Sequence, residues 1–329
     1  MSVPIRRALL LLPLAISLGW LCLDAPGPFL REAWFVLVIW GLTAATRTVS
    51  WGTAVSALSL GIGVAAPFMV LCGVVMARAG LDLSESVVGS WAIVPLLEEL
   101  VKLAPVGIVA ALHRRKTTLT LNPSDWLLAG CAAGAGFAMV ENAQLVQHSP
   151  GVLRDMARQY GPSWLVPGAW GSAGYVGHAA ATGLAAAGIG LARSLARVAA
   201  ARHAGVALSR IVLWVPLGWI TVEHMLANLR VDTGSDAALL LGNGRLTPWL
   251  FLGAVAAVVA TDLMWARRVL AHSRTLRMRV ALVREALLGT TLPKRRTVWE
   301  RIRVAAAELR LVNAAAWVTR ERLAGGTTK

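Results

Sequence analysis

The sequence predicts an all-α, polytopic membrane protein: a helical bundle of about eight transmembrane spans with a basic, amphipathic helical tail at its C-terminus. Three observations lead there. Hydrophobic residues make up 57% of the 329 residues and charged ones only 15%, where soluble domains carry about 25% charged residues. The apolar residues come in continuous runs of roughly the 17–25 needed to cross the hydrocarbon core. Alternating barrel strands are therefore excluded, and open strands with unpaired backbone do not span lipid. Fourteen Trp against two Tyr and five Phe suit a bilayer interface, where indole rings sit at the headgroup level.

Taken in order, the runs lie near residues 8–23, 33–46, 53–77, 87–112, 126–147, 172–192, 211–229 and 248–266. The first follows Arg6 and Arg7 and resembles a signal peptide. No A-x-A cleavage site follows it, and Leu21 ahead of Cys22 is too large for a lipoprotein signal, so it is expected to stay as the first span. Ser163 to Trp170, between the fifth and sixth runs, reads as an interfacial or re-entrant segment. Cys22, Cys72 and Cys131 stand apart, each in an apolar run, with neither a zinc spacing nor a disulfide framework.

Orientation follows from Lys and Arg in the short loops. With the N-terminus inside, ten basic residues face the cytoplasm before the tail: Arg6, Arg7, Arg47, Arg114, Arg115, Lys116, Arg193, Arg197, Arg202 and Arg210. Six lie outside, and there Asp24, Glu32, Asp82 and further acids balance them. The reading is a multi-pass protein of the cell membrane with both termini cytoplasmic. The chain divides into a transmembrane domain over 1–270 and a cytoplasmic tail over 271–329. The overall charge of +15 does not imply a nucleic-acid partner, because 15 Lys and Arg stand against four Glu between Arg267 and Lys329. Val298, Ile302, Ala305, Leu309 and Val312 give that tail an apolar stripe, which suits a basic helix resting on anionic lipid.

Ionisable groups in hydrocarbon are costly, about 2.5–3.5 kcal/mol each on insertion scales, and mark function. The fourth run carries Glu98, Glu99 and Lys102, the fifth Glu141 and Asn142, the sixth His178, and the seventh Glu223, His224 and Asn228. Glu98 and Lys102 are spaced i, i+4 for an ion pair, and His224 and Asn228 share a face by the same spacing. Asp262, close to Arg267 and Arg268, reads as half of a snorkelling ion pair; Glu223 reads as a partner of His224 or an interfacial residue.

Glu141, His178 and His224 form a carboxylate-plus-two-imidazole set of the kind that holds zinc with an open position. Glu98 or Glu99 would then be the general base, and Asn228 an oxyanion donor. Lys102 and Asn142 take supporting roles. A metal-free site, with Glu and His acting directly on water, fits the same spacing. A proton- or ion-coupled transporter or channel uses similar residues, although no repeat relates the two halves. An inactive scaffold is the third possibility.

Four motifs stand in successive runs: Glu98-Glu99-x-x-Lys102, Phe137-x-x-x-Glu141-Asn142, His178-Ala179-x-x-Thr182 and His224-x-x-x-Asn228. Over roughly residues 85–230 the chain resembles the PrsW family of intramembrane peptidases, related to the CAAX-processing proteases. Leu145, Met225-Leu226-Ala227 and Glu223 depart from that pattern. The resemblance implies hydrolysis of a membrane-protein substrate within or beside the bilayer, with Glu98, Glu99 and both His essential. It further implies a single-span anti-sigma factor as the substrate, cut at its outer side.

Overall fold

The computed structural model describes residues 3–24, 26–81, 88–116, 121–148, 175–198, 203–241 and 244–272, with isolated positions beyond. Among them the chain is all helical, without a strand. Helices α1 (Val3–Asp24) and α2 (Pro26–Leu42) are followed by α3 (Trp51–Leu60), which runs through a π turn (Gly61–Ala65) into α4 (Ala66–Arg78). A second π turn (Gly89–Ile93) opens α5 (Val94–Val101), and α6 (Leu103–Lys116) continues from it. Then come α7 (Pro123–His148), α8 (His178–Val198), α9 (His203–Thr233), a 3-10 turn (Asp236–Leu241) and α10 (Thr247–His272).

Four helical stretches among the described residues are long and apolar enough to cross a membrane: Trp51–Arg78, His178–Ala196, Val206–Thr233 and Thr247–Arg268. The segment around Ser163–Trp170 lies outside the described residues, as does the helix expected near Val298–Val312 apart from Glu308 and Leu311. The fourth apolar run is not one helix but two joined at Lys102. Pro105 explains the break, because it lacks the N–H that would bond the carbonyl of Val101. Both π turns likewise sit just ahead of a proline, Pro67 and Pro95. Each proline frees a carbonyl inside the wider turn before it.

Helix α7 is the centre of the bundle, packed against α8, α3, α2 and α10. Small residues bring these helices together, as is usual where apolar burial alone does not separate helix from lipid. A Cβ at Gly134 would strike the carbonyl of His178, and one at Gly130 that of Thr182. On the opposite side, a Cβ at Gly61 would strike the carbonyl of Ala133, and one at Gly136 that of Leu58. These close approaches fix α8, and with it His178, against α7.

One end of the bundle is tied by polar groups. The Asp125 carboxylate accepts from the backbone N–H groups of Thr48 (2.7 Å), Val49 (3.1 Å) and Asn122 (3.0 Å), joining the α2–α3 connection to the start of α7. Thr46 and Ser124 hydroxyls lie 2.7 Å apart. Asp262 is fully buried there and accepts from Ser124 N–H at 3.1 Å. It anchors the first turn of α7, where a carboxylate offsets the orphan amides, instead of pairing with Arg267 or Arg268. Arg31 and Glu32, expected in an outer loop, lie inside α2, and Glu32 is fully buried.

Candidate active site

The polar residues expected from the motifs meet at one level of the bundle. Glu98 and Glu99 leave α5 side by side, both buried. His178 is the first residue of α8, and the non-helical residues Tyr175 to Gly177, the last at φ 90°, lead into it. His224 projects from the middle of α9, and Glu141 and Asn142 from α7.

Glu99 is a hub. Its Oε1 receives Lys102 Nζ at 2.6 Å, the Tyr175 hydroxyl at 2.9 Å and His224 Nδ1 at 2.9 Å. The expected Glu98–Lys102 ion pair is thus replaced by Glu99–Lys102, three residues apart instead of four. Lys102 also lies 2.5 Å from His178 Nδ1. Each imidazole therefore has Nδ1 engaged, His178 by Lys102 and His224 by Glu99, and turns Nε2 inward. His178 Nε2 stands 2.5 Å from Glu141 Oε2, and His224 Nε2 stands 3.7 Å from Glu98 Oε2. An Nδ1–H given to a carboxylate, as His224 gives to Glu99, is how neighbouring groups prepare an imidazole for a metal. For His178 the matching acceptor is the Tyr175 hydroxyl oxygen, 3.3 Å from Nδ1, because Lys102 can only donate.

Tyr175, absent from the sequence motifs, completes the arrangement. Its ring stacks on His224 at 4.5 Å and 18°, and meets His178 edge-on at 5.2 Å. Phe137 packs edge-on against His178 from the other side, at 5.1 Å. Glu223 is buried and neither solvated nor in contact with His224's ring nitrogens. Its carboxylate accepts from the Thr247 hydroxyl and from the backbone N–H of Val176. Thr247 in turn accepts from Trp219 Nε1 at 2.8 Å. Glu223 thereby holds in place the stretch that carries Tyr175 and His178.

A cavity of about 220 Å³ adjoins the cluster, lined by Glu141, Asn142, Tyr175, His178, His224 and Asn228 among others. Asn142 is buried in its wall. Asn228 donates from Nδ2 to the carbonyl of Ser90 at 3.2 Å, which ties α9 to the second π turn and leaves the amide's other hydrogen.

Ligand atoms of Glu98, His178 and His224 lie within 4.8 Å of one another. The donor set matches what zinc accepts. A buried Glu98 Oε2 with no hydrogen-bond partner points the same way, because orphaned buried acceptors are unfavourable unless something binds them. Residues 35–261 match the model of a family described as PrsW family intramembrane metalloproteases. No curated protein and no solved structure matches the chain.

Proposed function

The chain belongs to the PrsW family of intramembrane metalloproteases, and we propose that it hydrolyses a peptide bond of a membrane-spanning protein at the junction of Glu98, Glu141, His178 and His224. The observation that carries this reading is the approach of two imidazoles and one carboxylate to within 4.8 Å, buried, beside a polar cavity.

Glu98, His178 and His224 would hold the metal, for which zinc is the natural choice given two nitrogens and one oxygen. A divalent ion bound there supplies Lewis-acid polarisation of the scissile carbonyl and makes water more acidic. Glu141, expected from the sequence as a ligand, instead suits the general base. Its side chain is 28% exposed, whereas that of Glu98 is 11% exposed, and it lines the cavity where water enters. Glu99 Oε1 is taken by Lys102, Tyr175 and His224, so in this reading Glu99 holds His224 and balances Lys102. Asn228 presents its remaining amide hydrogen to the cavity as a donor to the developing oxyanion.

The substrate class is a single-span membrane protein, of which an anti-sigma factor is one case, and the eight-span arrangement in the cell membrane has both termini in the cytoplasm. Purified full-length protein tests the site. A chelator should stop cleavage and zinc restore it, with affinity falling at acid pH because the ligands must be deprotonated to bind. Glu98→Gln and His178→Ala should lose metal and activity together. Glu141→Gln should keep the metal and lose about 10²–10⁴ in rate, the usual contribution of a general base. Full activity without stoichiometric metal would overturn the assignment.

A further inference from the structure

A second, larger cavity of about 440 Å³ lies against the same carboxylates. Its outer wall is α4, through Met69, Gly73 and Met76, and its inner wall is Glu98, Phe137 and Glu141. Glu141 lines this cavity and the polar one alike. The gap has a structural origin. Gly61 and Gly136 hold α3 in backbone contact with α7. Beyond the π turn the contacts thin, and Gly73 has nothing within 4 Å of where its Cβ would stand. The span starts tight and ends apart, leaving a groove of the size of ligand clefts, about 300–1,000 Å³.

The mouth of the groove opens among bare apolar side chains. Val70 and Val74 line it and are 52% and 46% exposed, and Phe68, Leu71 and Val75 continue the same lipid-facing surface. We propose that this groove is the lateral port through which an apolar membrane-spanning segment of a protein substrate passes from lipid to Glu98 and Glu141, with the polar cavity beyond supplying water. The inference rests on the hydrolytic reading above.

A peptide fits this groove better than an acyl chain does. The inner wall presents the Glu141 carboxylate and Gln144 beside Glu98. A hydrocarbon tail offers such groups nothing, whereas an unwound peptide brings N–H groups that must find acceptors in lipid. Met69 and Met76 are flexible and polarizable, which suits a groove that accepts varied apolar side chains.

The test uses full-length protein in phosphatidylcholine vesicles with a single-span peptide of about 20 Leu and Ala residues. The peptide carries one benzoylphenylalanine at its middle. Benzophenone inserts readily at methionine, so Met69 and Met76 report the groove. Met264, 54% exposed on α10, reports the general lipid face. Adducts at Met69 or Met76 should exceed those at Met264 by about tenfold, one decade in occupancy. Gly73→Trp, whose Cβ meets nothing within 4 Å and whose ring enters the groove, should remove that excess and leave Met264 unchanged. Equal yields at the three methionines, or no response to Gly73→Trp, overturn the port. So does a phosphatidylcholine with a benzophenone-bearing acyl chain if it labels the groove and the peptide does not displace it. Adduct formation needs no turnover, which keeps the two readings separate. Groove adducts from a protein that cleaves no membrane substrate leave the port and remove the hydrolytic site; cleavage without groove adducts does the reverse.

Discussion

At Glu99, one carboxylate oxygen receives an ammonium, a phenol and an imidazole, so its neighbours act as a unit and not as separate contacts. Tyr175 is the member best suited to a test. Tyr175→Phe keeps the ring over His224 and loses only the hydroxyl. A hydrogen bond to a charged group contributes about 1.5–3 kcal/mol. The expected loss in kcat/KM is therefore about 10–100-fold, with zinc content close to wild type. Activity within error of wild type would leave the hydroxyl without a role. The sequence made six members of this cluster visible, Glu98, Glu99, Lys102, Glu141, His178 and His224, because each is an ionisable group in an apolar run. It could not show which carboxylate Lys102 takes, since spacings of three and four both allow a pair. Tyr175 gave no signal at all: an aromatic residue inside an apolar run is unremarkable until its hydroxyl is seen to point at a carboxylate.

The helices were largely legible as apolar runs, and their interruptions were not. The run over 53–77 reads as a single span, yet it holds a π turn, and the run over 87–112 holds another turn and a break at Lys102. Hydropathy is blind to both, because neither changes the polarity of the chain; only Pro67, Pro95 and Pro105 mark them. Helix packing gives a second test. A Cβ at Gly136 would meet the carbonyl of Leu58, whereas one at Gly107 would meet nothing within 4 Å. Gly136→Val should therefore lower stability by about 1–3 kcal/mol, as overpacking does, and Gly107→Ala should not. Unfolding in mixed micelles would measure both, and equal behaviour of the two variants would remove the argument for backbone contact between α3 and α7.

Across the whole molecule, side-chain bonds gather three segments at one end of the bundle. Thr46 bonds Ser124, and Asp262 bonds the same residue. The α2–α3 connection with Arg47, the start of α7 and the α10 turn that carries Asp262 thus share one end of the bundle, as expected for segments that face the same side. Reporter fusions after Lys116 and after Arg274 should both read cytoplasmic, and one after Asp155 external; a split between the first two would break the arrangement. The membrane class was legible because composition alone excludes a soluble core. Tight packing around α7 was not, since the glycines that allow it resemble any other small residues in an apolar run. The lateral mouth beside α4 changes what concentration means for this protein. A substrate that arrives through lipid is counted per unit of membrane area, not per litre. Adding buffer at fixed lipid leaves such encounters unchanged, and adding lipid at fixed volume thins them, so the rate in a cell follows how crowded the bilayer is with substrate.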